Sequence, residues 1–439
     1  MRPQRARVGL TRRGAVFLAA AIVACVAAYS SGLRELLYVG ILLAAMPLGA
    51  LVLVWRARPN LSVTRTFSPH ILEAGSGATV TMHVQNRSFR RSARSRWRDT
   101  LPWRPGTTPD ADLPALQPRG ARFSGRGNAA SLRYELRPPR RGVFAIGPLG
   151  VDVADALGLA SSSLTTGAPQ PIVVTPEVVA LPPTGLRGAG GDGEARLVQR
   201  RAAGDDDDSI TREYRSGDAM RRVHWRATAR HGDLMVRQEE QRTLPEARIV
   251  VDTRRVGYRD AGGEDFGGEG AESEAFEWVV RMLASVATHL RRSGFVVTIT
   301  ETGPPQLGSL DRKGRRAWNE EEFLVDLASF EMVYDRSLAR PSGRRAGPTI
   351  ALLGAADEAT LDWLADQAVP GELAVAYLVH AVTAVDVINR SFGVTRAPLE
   401  AVERLTDAGW LVIPVRADDD HVAAWEAIVF ETGRSRAGA

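Results

Sequence analysis

Arginine dominates the segment 210–240, where Arg212, Arg222, Arg226 and Arg230 stand with Tyr214, Gly217, Asp218, Trp225, Ala229 and Gly232. A guanidinium presents a planar fork of donors that matches phosphate or carboxylate, so this cluster could hold an anion. Trp225 offers a broad face on which an arginine can stack. Gly217–Asp218 reads as a turn, with Asp218 able to accept backbone bonds and Arg221 or Arg222 able to pair with Asp218 or Glu213. Gly232–Asp233 is a second turn, after which Leu234 and Val236 alternate with polar residues as in a strand. Two roles suit such a segment. Its charged and aromatic groups can lock one domain to the next, the reading that paired arginines at a turn favour, or they can form a binding surface for a partner.

Elsewhere the chemistry is sparse. The seven histidines form no His-x-x-x-His pair, and Cys25 is the one cysteine, so neither a Cys-based zinc site nor an internal disulfide is possible. The glycines of 185–193 are not followed by the lysine and helix of a phosphate loop. Asp205 to Asp208 are four consecutive carboxylates. Calcium loops space their oxygens around a turn, so this run reads as part of a solvated Gly/Asp-rich linker over 185–209. Gly262 to Gly270 is an acidic insert. No serine, histidine and aspartate are singled out as a triad. These residues predict no catalytic group and no cofactor.

The elements that must position the arginine segment begin with an anchor. Ala15–Tyr29 and Leu36–Trp55 are apolar, and about 20 helical residues match a hydrocarbon core of about 30 Å. The short link Ser30–Glu35 allows only an antiparallel return, so the pair predicts a transmembrane hairpin within 1–58. Of the formal charge of +5, the first 56 residues carry +6, from seven arginines and Glu35, which leaves −1 for the rest. That distribution argues against a nucleic-acid binder, whose basic excess lies in its folded domains. Arg2, Arg5, Arg7, Arg12 and Arg13 precede the first helix, Arg56 and Arg58 follow the second, and only Arg34 lies between. The positive-inside rule then puts both ends, and the soluble domains, in the cytoplasm. A cleaved signal peptide, a lipoprotein box ending at Cys25 and a twin-arginine signal at Arg12–Arg13 are the rival readings. Each is opposed by the second apolar run that follows at once. The cluster Arg87, Arg90, Arg91, Arg94, Arg96 and Arg98 reads as a solvated loop, or as a basic surface against anionic lipid.

Past the anchor the apolar period changes. Val80, Met82 and Val84 alternate with polar neighbours, as do Leu132, Tyr134 and Leu136, then Phe144 and Ile146, then Val151 and Val153; Pro171–Thr175 is a further short run. Short alternating runs separated by Gly and Pro predict a small antiparallel sandwich over 59–184, in which 87–127 is poor in strand signal and contains a long arginine-rich loop. After the 210–245 segment, strands and helices alternate through 246–435. Strands are expected at Ile249–Val251, Phe295–Thr300, Thr349–Leu353, Leu373–Val379 and Trp410–Val415. Helices are expected at Ala275–Arg292, Glu320–Leu327, Glu358–Gln367, Leu399–Asp407 and His421–Phe430. Continuous apolar strands in such alternation predict an α/β domain, its mostly parallel sheet covered on both faces.

The arginine segment closely resembles the signature of the bacterial family known as domain of unknown function 58, DUF58. Arg212, Tyr214, Gly217 and Asp218 match its Arg-x-Tyr-x-x-Gly-Asp turn, Arg222, Val223 and Trp225 its Arg–aliphatic–x–Trp step, and Ala229, Arg230 and Gly232 the turn that follows. Asp155-Ala156-Leu157-Gly158-Leu159 is similar to the family's Asp-Pro-Phe-Gly-Leu element, with Ala156 and Leu157 departing from it. Thr175–Pro176 and Leu181 resemble the next strand and turn. The resemblance implies a von Willebrand factor A-like fold for the C-terminal domain. Metal-binding members of that fold end their first strand in Asp-x-Ser-x-Ser, whereas this chain has Asp252-Thr253-Arg254-Arg255-Val256. Asp252 is then a degenerate remnant of a metal site, with the cation of Arg254 near the metal position.

The resemblance also implies partners: a MoxR-type AAA+ ATPase and a membrane transglutaminase-like protein. The expected function is a non-enzymatic scaffold or adaptor, anchored at the cytoplasmic membrane, in complex assembly or envelope maintenance. An enzyme or ligand-binding protein using the arginines as an anion site is the first alternative. A metal-dependent adhesion module is the second, opposed by Arg254.

Overall fold

Thr11 opens the first long helix. Its side chain accepts a bond from Gly14 N at 3.2 Å and so caps α1 (Arg12–Ser31), which Gly32 ends in the left-handed conformation at φ 68°. The computed structural model describes residues 6–103, 105–120, 127–183, 211–214, 220, 223, 225–237, 245–258, 273–307, 319–335, 337–339, 347–380 and 399–437. The linker 185–209, the acidic insert 262–270, Gly217, Asp218 and Arg222 lie outside the described residues, as does the side chain of Arg212. Two compact units divide the chain, Met1–Glu177 and Val178–Ala439.

In the first unit, α1 and α2 (Arg34–Arg56) pack as an antiparallel pair, each long and apolar enough to cross a membrane. They meet closely at Gly40 of α2, where a β-carbon would come within 2.6 Å of Cys25 Sγ and 3.2 Å of Ala21 O on α1. Such a residue lets helix backbones approach closely. Val16, Ile22, Val26, Ile41, Leu42 and Leu53 point outward and are exposed. A helix pair apolar on its outside too is not the covered core of a water-soluble domain.

Strand β1 (Ala6–Leu10) precedes α1. The strands after α2 are β2 (Leu61–Ser68), β3 (Ile71–Glu73), β4 (Ala78–Asn86), β5 (Ser95–Asp99), β6 (Ala111–Leu113), β7 (Ala129–Leu136), β8 (Gly142–Ile146), β9 (Leu149–Ala154), β10 (Ala160–Thr166) and β11 (Gln170–Thr175). They form sheets ordered β1-β10-β9-β5-β6, β2-β4-β7 and β3-β11-β8. Pairing is antiparallel except for β3 with β11, which run parallel. Val80, Met82 and Val84 are fully buried, as their alternation predicts.

Three expectations need correction here. The span 87–127 holds more strand than its poor strand signal indicates, because β5 and β6 cross it and bury Trp97 and Leu113. The inward positions of β5 are Ser95, Trp97 and Asp99, so its alternation is not an apolar one. The sandwich is not purely antiparallel. The basic N-terminal stretch is not simply a flank, since β1 pairs with β10 from Ala6↔Leu164 to Leu10↔Ala160. The chain therefore enters α1 and leaves α2 from the same β structure, which holds both ends of the hairpin together.

The second unit contains β12 (Thr211–Glu213), α3 (Trp225–His231), β13 (Met235–Arg237), β14 (Glu246–Val251), α4 (Glu274–Arg292), β15 (Val296–Glu301), α5 (Glu320–Ala328), β16 (Thr349–Leu353), α6 (Glu358–Ala365), β17 (Ala374–His380), α7 (Leu399–Asp407), β18 (Leu411–Arg416) and α8 (His421–Ala437). Five strands form a wholly parallel sheet in the order β15-β14-β16-β17-β18. Alternate residues of its central strands face opposite layers. Ile249, Val251, Ile350, Leu352 and Tyr377 pack with Val279 and Leu283 of α4 and Trp425 of α8. Val250, Ala351, Leu353 and Ala376 pack with Leu364 of α6 and Leu405 of α7. This double burial is why these strands read as unbroken apolar runs.

Candidate functional site

The order in which strands are added reverses at β14, which has β15 on one side and β16 on the other. Ligands of open α/β sheets bind where such strands end, because the following loops diverge there. Asp252 stands at that end. Its backbone N donates to Leu352 O at 2.9 Å, and its side chain is fully buried. Oδ1 accepts from Arg254 N at 3.2 Å and from the Thr302 hydroxyl, and faces Arg254 Nε at 3.4 Å. The same guanidinium sends Nη2 to Asp357 Oδ1 at 2.9 Å and to the Thr360 hydroxyl. Asp357 is the N-cap of α6, accepting from Thr360 N at 3.1 Å.

The cation of Arg254 thus lies between two carboxylates at the sheet edge. Burial pushes the Asp252 carboxyl up, against the opposing pull of Thr302 and Arg254. For Asp357 partial burial works upward, but the bonds from Thr360 and Arg254 outweigh it and hold the carboxyl below the usual range. Asp252 Oδ2 has no hydrogen-bond partner among the described residues and faces Gly257, where a β-carbon would come within 2.4 Å. Asp252 and Arg254 are both buried. Among the described residues no three His, Cys, Asp or Glu side chains are grouped to hold a metal ion.

The signature segment is different in kind. Arg212 lies on β12 opposite Val236 of β13, and Tyr214 N donates to Leu234 O at 2.7 Å. Val223 bridges to Val236. Residues 225–231 form α3, a helix not among those expected above, and Gly232 at φ 84° turns the chain back toward β13. The Thr228 hydroxyl accepts from Met235 N at 3.0 Å, tying helix to strand. Val223, Met235 and Val236 are buried, whereas Trp225, Arg226, Ala229 and Arg230 are exposed. Spacing of four residues stacks Trp225 on Ala229 and Arg226 on Arg230 along the helix. Trp225 is 65% exposed, with Met220 also exposed nearby in the chain.

Residues 210–300 match the model of a family described as "Protein of unknown function DUF58", so the chain carries that family's signature region. No curated protein matches the chain. Among solved structures, the CARDB domain of a Pyrococcus furiosus protein is 16% identical over 27% of this chain and 96% of that domain, with a TM-score of 0.20. A beta-glucosidase from Listeria innocua is 12% identical over 26% of this chain and 16% of that one, with a TM-score of 0.17. Likenesses of this size carry no argument about fold or function.

Proposed function

We propose that this DUF58-bearing chain is a membrane-anchored, non-enzymatic adaptor that presents α3 to a protein partner. The observation that carries the reading is the exposed face of Trp225, Arg226, Ala229 and Arg230. Tryptophan and arginine are the side chains that most often dominate binding energy at protein interfaces. In this reading α1 and α2 cross the cytoplasmic membrane, with both soluble units on the cytoplasmic side favoured by the arginine bias. The C-terminal unit serves as a von Willebrand factor A-like module in which Arg254 replaces a metal ion as the local cation. The partner is a MoxR-type AAA+ ATPase, with a membrane transglutaminase-like protein in the same assembly, as the family resemblance implies.

Crosslinking and affinity purification from native membranes tests this. The wild-type chain is expected to recover an AAA+ ATPase, and Trp225→Ala to lose it while remaining at normal abundance in the membrane. Recovery of a small anionic ligand instead, with no protein, overturns the adaptor reading in favour of the anion-site alternative.

A further inference from the structure

The end of the first unit from which the hairpin leaves carries two loops that the adaptor reading does not use. One is the turn Asp155-Ala156-Leu157-Gly158-Leu159 between β9 and β10. Thr11 donates through its backbone N to Leu159 O at 3.0 Å and through its hydroxyl to Gly158 O at 2.5 Å. Gly14 approaches so closely that a β-carbon there would lie 2.1 Å from Leu159 O. Leu159 and Ala160 are buried with Ala50 and Val54 of α2, and Phe17 and Leu51 pack alongside. Ala50 precedes the last helical residue, Arg56, by six positions, which is about 9 Å at 1.5 Å per residue. The turn therefore lies level with the outermost turns of the apolar helices. At its tip Leu157 is 60% exposed.

The second loop is Arg87–Arg91. Arg87 N donates to Asn60 O at 2.8 Å, only four residues beyond Arg56. The Asn86 side chain braces it, donating to Arg90 O at 2.8 Å and accepting from Ser88 N at 2.9 Å. So held, the loop projects Phe89, 82% exposed, among the exposed Arg87, Arg90 and Arg91.

We propose that both loops enter the phospholipid headgroup layer of the leaflet from which the hairpin leaves. Leu157 and Phe89 reach the boundary with the acyl chains. Arg13, Arg87, Arg90 and Arg91 engage the phosphates of anionic lipid. Continuity with the apolar helices fixes the occupant as lipid, because the β9–β10 turn is bound to their sides and not beyond their ends. Apolar tips flanked by arginine are the composition that binds such an interface. The proposal rests on the reading of α1 and α2 as membrane-spanning.

The test uses the full chain with Cys25→Ala and a single cysteine introduced in turn by Leu157→Cys, Phe89→Cys or Val26→Cys. Each is labelled with a polarity-sensitive fluorophore and reconstituted in vesicles of phosphatidylcholine and phosphatidylglycerol. Labels at 157 and 89 are expected to be blue-shifted, quenched by headgroup-level nitroxide lipid and protected from aqueous iodide. The label at 26, on the outward face of α1, is expected to be quenched by nitroxide deep in the acyl chains. Iodide quenching at 157 and 89 with deep quenching at 26 overturns the lipid contact and leaves the hairpin standing. Iodide quenching at all three overturns the membrane-spanning reading and the proposal with it.

Discussion

Arg254 spans the end of the parallel sheet, with Nη2 2.9 Å from Asp357 Oδ1 and Nε 3.4 Å from Asp252 Oδ1. Removing one partner of a buried ion pair leaves an uncompensated charge, at about 3–5 kcal/mol. Arg254→Ala is therefore expected to lower the unfolding free energy by about that amount. The loss has a pH signature. Burial already raises the Asp252 carboxyl, and without Arg254 it rises further. A group raised in the folded state contributes stability that is complete below its unfolded pKa, about 3.9, and is lost as pH rises through the folded value. The deficit of the variant is thus expected to be larger at pH 8 than at pH 4, measured by denaturant unfolding of the detergent-solubilised chain. A deficit that is flat with pH would show that Asp252 does not bear the uncompensated charge.

The same geometry predicts the response to magnesium. A divalent ion between Asp252 and Asp357 would have to displace a guanidinium already bonded to both and to Thr360. Calorimetric titration of the wild-type chain is expected to show no magnesium binding, and its melting temperature no dependence on the ion. Micromolar affinity would refute this. In Arg254→Ser the cation is gone while both carboxylates remain, so added magnesium is expected to recover part of the stability that the substitution removes.

How far the sequence could be read depends on what each strand buries. β14, β16 and β17 are covered on both faces, so their runs of Ile, Val, Leu and Ala announced a parallel sheet, and the helices between them fell within a few residues of expectation. β2 and β5 were hidden for the opposite reason. They turn Arg65 and Asp99 inward, and charged residues at core positions disguise a strand as a loop. β1 was masked by the arginines around it, which membrane topology explained without any strand. At the signature, the Gly232 turn was legible because the chain needs φ > 0 there, whereas α3, seven residues long, is too short to show helical periodicity. Exposure of Trp225 is a tertiary property and left no mark on local sequence.

Arg65 and Asp99 make the next prediction. Nε and Nη2 of Arg65 reach the two carboxylate oxygens of Asp99 at 2.8 and 2.7 Å, and both side chains are fully buried. Tyr134 donates its hydroxyl to Asp99 Oδ2 at 2.7 Å, and burial together with Asp99 pushes the phenol up, so it keeps the proton it donates. Arg65→Ala is expected to cost about 3–5 kcal/mol, and Tyr134→Phe about 1.5–3 kcal/mol. The double substitution Arg65→Met with Asp99→Leu removes both charges and is expected to recover most of the loss. Thermal unfolding of wild type, Arg65→Met, Asp99→Leu and the double variant measures the coupling. Additive losses in the double variant would show that the pair does not act as a unit.

Asp155 makes the turn beside α1 sensitive to acid. Its carboxylate accepts from Leu157 N at 2.9 Å and Ala160 N at 2.6 Å. Slight burial works upward on this group, but these N–H bonds prevail and hold it below the ordinary carboxylate range. The sign follows from the lowered value. The stability it contributes is complete above the unfolded pKa of about 3.9 and is lost as pH falls through the folded one. Protonation removes the charge that draws the two amides inward, and the turn should loosen first at the residues they serve. Hydrogen-exchange protection of Leu157 and Ala160, corrected for intrinsic rates, is therefore expected to fall as acid is added, before protection in β9 and the rest of β10 declines. Asp155→Asn retains an acceptor oxygen but cannot titrate, so its protection should be weaker at neutral pH and steady into acid. If wild type and Asp155→Asn respond alike, the clasp belongs to the backbone bond from Gly158 N to Asp155 O at 3.1 Å and not to the carboxylate.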